Sequence, residues 1–150
     1  MLQAAGLMHR KGFPESFDFA RLAADIERMR AGQAVQVPVY DHTANDVVAV
    51  PVTVEAGGVL ILEGVIALVP ELSAHLHFKV FLDTDLDVAH ARYLERVQRV
   101  AALDSTHPLN AVPAEHRLSV LDTVWIEVNV KNFSEHIAPT RAAADVVVPF

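Results

Sequence analysis

Two short apolar runs in this chain each stand directly ahead of a stretch with helical spacing, and that arrangement narrows the fold more than any other feature. Val59-Leu60-Ile61-Leu62 is continuously apolar and Phe78-Lys79-Val80-Phe81-Leu82 nearly so. Runs without polar alternation are how strands read when both faces of a parallel sheet are covered. Strand followed by helix, twice, predicts an α/β layered fold.

The rest of the chain fits that class. Leu22, Ile26 and Met29 recur on one helical face across residues 19–31, and Gly32 is placed as a stop. Residues 35–40 and 48–54 are rich in valine, the second alternating at Val48, Val50, Val52 and Val54, with turn-forming residues 41–46 between them. These predict a β-hairpin or two neighbouring strands. A strong helix is expected over 86–100, a loop over 103–116, a second helix over 118–137 and a short strand over 145–150. No internal repeat, low-complexity tract or Gly/Ser linker divides the 150 residues, so a single domain over 1–150 is expected.

Composition excludes several functions. An apolar fraction of 52% supports a substantial core. The chain has no cysteine, which removes disulfides, thiolate metal sites and cysteine nucleophiles. A formal net charge of −7 argues against nucleic acid as a partner, because phosphate backbones call for a basic face. The longest apolar run, residues 59–69, is broken by Glu63 and Gly64 and is shorter than the ~20 residues of a bilayer span, so no membrane partner is expected. The first charges follow a very short apolar stretch, the reverse of a secretory signal, and a cytoplasmic location is expected.

Leu60-Ile61-Leu62-Glu63-Gly64 delivers a carboxylate at what would be the C-terminal edge of a strand, where ligands bind in parallel sheets. Glu63 there suits magnesium, held directly or through a water. The acidic run Asp83-Thr84-Asp85-Leu86-Asp87 lacks the glycine and distal glutamate of a calcium loop, and reads as a helix cap. His75 and His77 are two apart with no third ligand evident, which favours structural roles. Arg92, Arg96 and Arg99 fall on the 86–100 helix, where they either clamp a phosphate or form its solvated side. No Gly-x-Ser-x-Gly elbow supports a hydrolase triad.

The order of these motifs resembles a known family. Gly6-Leu7-Met8-His9-Arg10-Lys11-Gly12-Phe13-Pro14-Glu15-Ser16-Phe17-Asp18 resembles the segment that follows the catalytic Asp-Gly-Phe strand end in bacterial type I pantothenate kinases. Pro38-Val39-Tyr40-Asp41-His42, Tyr93-Leu94-Glu95-Arg96, Trp125-Ile126-Glu127-Val128-Asn129 and Ile137-Ala138-Pro139-Thr140-Arg141 continue the resemblance in the same order. Glu63-Gly64-Val65-Ile66-Ala67-Leu68 and Phe81-Leu82-Asp83-Thr84-Asp85 look more like uridine kinases. The wider group of phosphoribulokinases, uridine kinases and pantothenate kinases is the resemblance that covers the whole chain.

That resemblance implies a P-loop NTPase-like parallel sheet with flanking helices, incomplete at its N-terminus, and an ATP- and magnesium-dependent transfer of phosphate to a small hydroxylated acceptor. Tyr40, His42, Tyr93 and Asn129 would line the acceptor pocket. Arg96 would stabilise the transferring phosphoryl group and Glu63 would hold the metal. The sequence contains no Gly-x-x-x-x-Gly-Lys-Ser/Thr loop to cradle phosphates. The isolated chain is therefore expected to be inactive, and residues 59–62 and 78–82 are expected to show a gap or a substitute strand between them. The competing readings are a noncatalytic remnant that binds a metabolite or pairs with a subunit, a second copy of itself included, and an unrelated hydrolase using Glu63 or His42.

Overall fold

A computed structural model describes residues 10–41, 46–47 and 50–150. The hydroxyl of Ser16 accepts from the Gly12 amide and donates to the Phe13 carbonyl, closing the turn that leads into the first helix. Helix α1, Phe19–Arg30, begins where the Asp18 carboxylate accepts a hydrogen bond from the Arg21 amide at 2.9 Å. It ends at Gly32, whose φ of 78° lets its amide reach the Met29 carbonyl while Gln33 reaches Arg28. Leu22 and Ile26 point inward as their spacing predicts, and Ile26 joins Ile66, Val69 and Leu72 in the first core cluster. Pro70 opens the short helix α2, Pro70–Ser73, at the position where its missing N–H costs nothing.

The valine-rich segments form the expected antiparallel pairings. Strand β1, Val35–Val37, pairs with β4, Val52–Val54, in the register Val35 to Val54 and Val37 to Val52. Gln36 and Thr53 add a side-chain hydrogen bond of 2.7 Å across that pair. Further out, β2, Tyr40–Asp41, pairs antiparallel with β3, Asp46–Val47. The alternation at Val48 lies outside the described residues.

Strand β5, Val80–Asp83, and β6, Val146–Pro149, form a parallel pair, as an α/β fold requires. Lys79 donates its backbone amide to the Asp145 carboxylate at 2.7 Å, and Arg141 pairs with Asp83 at 3.1 Å, so both ends of the pair are tied by charge. Between the strands runs α3, Leu86–Leu103, capped by Asp85, whose carboxylate accepts from the Asp87 amide. The acidic run is thus a helix cap. At the far end Asn110 donates to the carbonyls of Ala101 and Asp104, taking up acceptors that the last turn leaves open. Residues 103–116 are the expected loop, with two single 3₁₀ turns at Pro108–Ala111 and Ala114–His116.

Two expectations need correction. Residues 59–62 do not form a strand: they enter no ladder, and Val59 and Ile61 are 84% and 83% exposed. A strand exists only by hydrogen bonding to a neighbour, and among the described residues none pairs with this segment. Leu62 alone packs inward, against the first core cluster. Residues 59–62 and β5 accordingly do not pair. The second correction concerns residues 118–137, which are not one α-helix. Helix α4, Arg117–Val124, gives way to π-helical turns at Trp125–Val130 and Phe133–Ile137.

A second core cluster of Ala101, Leu109 and Leu121 joins α3, the 3₁₀ loop and α4, with Tyr93, Leu94 and Val97 packed against it. The N-terminal segment is held to the last helical stretch by buried contacts, among them Phe13 edge-on to the His136 ring at 5.9 Å between centroids and a hydrogen bond from Asn132. Asn132, 7% exposed, donates from Nδ2 to the Gly12 carbonyl at 2.9 Å across 120 residues of sequence. Asn132→Ala removes that donor and strands a carbonyl. It is expected to cost about 1–3 kcal/mol, read as a shift in the urea midpoint at unchanged slope.

Candidate acceptor site on helices α3 and α4

Helical spacing brings one group of side chains together. His90 and Tyr93, three apart on α3, face Asp122 and Trp125, three apart where α4 passes into its π-helical turn. The His90 and Trp125 rings stack at 4.9 Å between centroids, and Tyr93 leans on Trp125 at 5.4 Å. Offset aromatic contacts of this kind add about 0.5–1.5 kcal/mol beyond burial and hold ring orientation. His90 Nε2 lies 3.1 Å from the Asp122 carboxylate, but out of line for a hydrogen bond, and that nitrogen is buried with no other partner. The contact is one of proximity.

Tyr93 is half-buried in this rung. Burial pushes its hydroxyl above the ordinary tyrosine value, with Arg96 pulling the other way and Asp122 reinforcing the rise. The phenol therefore stays protonated and able to donate. Arg96, one turn further along α3, is exposed and close enough to Tyr93 for its charge to be felt there.

Asn129 lies within the π-helical turn that begins at Trp125, and its Nδ2 donates to the Val124 carbonyl at a long 3.5 Å. A π-helical turn widens the helix and re-aims its side chains, a distortion often found at functional sites. So Tyr93, Arg96 and Asn129 belong to the same pair of helices. Tyr40 belongs elsewhere, on β2, where its hydroxyl accepts from Lys11 Nζ at 2.7 Å. His42 lies outside the described residues.

Glu63 is exposed at the end of the unpaired 59–62 segment, just before Gly64, whose φ of 141° turns the chain. It does not sit at a strand end. Among the described residues no group of three or more His, Asp or Glu is arranged to hold a metal. His75 instead pairs with Glu27 at 2.7 Å and His77 with Arg30 at 3.1 Å, so both histidines tie the chain back to α1. The His75 contact holds the Glu27 carboxyl below its ordinary value. With one exposed carboxylate and no phosphate-cradling loop, these residues do not by themselves fit ATP with magnesium.

Sequence reading did not single out His90, Asp122 or Lys11, and took Trp125 only as part of a motif. The signal for His90, Asp122 and Trp125 was the paired three-residue spacing on two helices. That spacing means something only once the helices are known to face each other.

Comparison with known proteins agrees with the fold. The phosphoribulokinase / uridine kinase family pattern matches residues 5–106, more than half of the chain. The pantothenate kinase of Rhizobium rhizogenes is 32% identical over 166 aligned positions, which take in 98% of this chain and 50% of the relative. That of Streptococcus pneumoniae is 30% identical, taking in 95% of this chain and 51% of the relative. The chain thus spans about half the length of the curated relatives it matches. A solved structure described as a fructose transport system kinase from Silicibacter sp. superposes with a TM-score of 0.62 at 23% identity, covering 99% of this chain and 68% of that one, a likeness of fold. With the family pattern matching over residues 5–106 and relatives 30–32% identical across nearly all of this chain, the chain belongs to the phosphoribulokinase / uridine kinase family.

Proposed function

We propose that this chain is the acceptor-binding part of an ATP- and magnesium-dependent kinase that phosphorylates a hydroxyl of a small metabolite, pantothenate-like or nucleoside-like, as a single domain over 1–150. The observation that carries the reading is the wall formed by Tyr93 on Trp125, with Arg96 one turn away, in a chain of this family. Tyr93 offers a protonated hydroxyl to the acceptor. Asn129 offers an amide held by only one long bond. Arg96, free of close ion pairs among the described residues, supplies positive charge where a phosphoryl group passes. By their motif Tyr40 and His42 also contact the acceptor, Tyr40 from β2 and so from outside the wall on α3 and α4; Glu63, a lone exposed carboxylate, makes no metal site by itself.

ATP and magnesium supply the phosphoryl group and its charge neutralisation when bound. This chain's own residues hold and orient the acceptor. Phosphoryl transfer is mostly positioning and electrostatics, so a chain without a phosphate loop transfers nothing on its own.

Trp125 is the only tryptophan in the chain and sits in the proposed wall, so its emission reports on the site. Titration with pantothenate or with uridine is expected to change that emission saturably, and Tyr93→Ala to weaken binding about tenfold, the value of one hydrogen bond and one packed ring. The same protein mixed with ATP and magnesium should release no phosphorylated product. Flat titrations with both compounds would remove the acceptor-site reading.

A further inference from the structure

His90 contributes a ring to the α3/α4 rung, but stacking uses none of its acid–base chemistry. The ring lies nearly parallel to Trp125, 22° off at 4.9 Å between centroids, and nearly parallel to Tyr93, 20° off at 6.4 Å. It therefore contacts both rings of the proposed acceptor wall.

Its Nε2 is buried 3.1 Å from the Asp122 carboxylate without a hydrogen bond. A carboxylate oxygen only accepts, so a bare nitrogen lone pair at that distance is repelled and a protonated nitrogen attracted. The Asp122 side chain is 51% exposed, so the carboxylate, rather than the stacked ring, is free to swing into line. A protonated His90 then gains a charge-assisted hydrogen bond that joins α3 to α4. It also presents a cation to the indole face of Trp125, an attraction that acts in the same direction.

The other charged groups around the rung hold their state. On α3, burial raises the Tyr93 hydroxyl above its ordinary value, which keeps its proton in place, and Arg96 is always charged. Asp87, one turn before His90, and Glu127, in the π-helical turn, are exposed. Among the described residues Asp122 is the carboxylate within ion-pair distance of His90. Imidazole is the side chain of the rung whose charge changes between about pH 8 and about pH 5.5.

We propose that His90 is a positioning residue for the acceptor wall: protonated, it draws Asp122 into a hydrogen bond and fixes Trp125 and Tyr93 between α3 and α4, so that the acceptor is held more tightly in acid. Only the last step rests on the acceptor-site reading. The clamp itself belongs to the free protein.

The test uses the intact chain with His90→Gln, Asp122→Asn and the two combined, changes that keep a polar group and remove the charge. Urea midpoints at about pH 8 and about pH 5.5 give a double-mutant cycle at each pH. Coupling between the two positions is expected in acid and none at the higher pH. A merely structural contact would couple equally at both, and that result would overturn the proposal. Trp125 emission of the folded protein is expected to fall on acidification, because excited indole passes an electron to an imidazolium stacked on it, and to stay level in His90→Gln. An equal fall in that variant would also overturn it. Pantothenate or uridine should bind about threefold more tightly in acid, the value of one half-exposed ion pair, and neither variant should show the gain. Direct attraction of a ligand to the imidazolium would survive Asp122→Asn, and a gain that does so counts against the proposal, as does equal affinity at both pH values. Flat titrations with both compounds, alongside coupling that appears only in acid, would support the clamp and remove the acceptor-site reading it serves.

Discussion

Leu72→Ala is expected to lower the stability of the fold by about 2–5 kcal/mol, read as a large fall in the urea midpoint. Leu72 is completely buried, and it touches the only other fully interior members of the first cluster, Ile26, Ile66 and Val69. Truncating such a leucine loses its transfer energy and leaves a cavity that helices on either side cannot close, which costs about 2–5 kcal/mol. That is a large share of a typical stability of about 5–15 kcal/mol. A chain with so many exposed aliphatic residues has less than usual in reserve. Far-ultraviolet circular dichroism against urea checks it, and a midpoint within experimental error of wild type would show that α1 and α2 do not depend on this contact. Leu72→Met, which conserves volume, should cost less than about 1.5 kcal/mol.

Arg96→Ala carries the second large effect, and it appears in catalysis. In a chimera that joins the remainder of a curated relative to this chain, the loss of Arg96 is expected to lower kcat about 10²–10³-fold, or roughly 2.7–4 kcal/mol, the scale for one preorganised charge contact at a developing negative charge. Acceptor KM should change far less, because the charge is needed mainly as the phosphoryl group moves. Arg96→Lys should recover only part of the rate, since an ammonium lacks the planar fork of a guanidinium. A fall in affinity at unchanged kcat would reassign Arg96 to holding the acceptor.

Features set by a few neighbouring residues were legible beforehand. The stop at Gly32 and the cap at Asp85 each depend on residues within one helical turn, and both lie where the sequence places them. The valine pairs of β1 and β4 were legible for a similar reason, because a turn-rich stretch separates two segments of matching character. The family motifs gave the candidate residues Tyr93, Arg96 and Asn129, and the structure puts these three on the same pair of helices.

What the sequence determined by itself was therefore local: helices α1 and α3, the stop at Gly32 and the cap at Asp85, the α/β class, the missing phosphate loop and the motif order that defines the family. Whether residues 59–62 become a strand was not local, since apolar β-branched composition offers a strand and only a hydrogen-bonding neighbour completes it. Here β6, arriving 66 positions later in register with Val80, found β5, while residues 59–62 found no partner among the described residues. The His90, Tyr93, Asp122 and Trp125 rung was likewise decided by tertiary structure alone. Three-residue spacing puts each pair on a helix face, but the packing of α3 on α4 through Ala101, Leu109 and Leu121 is what turns those faces toward each other.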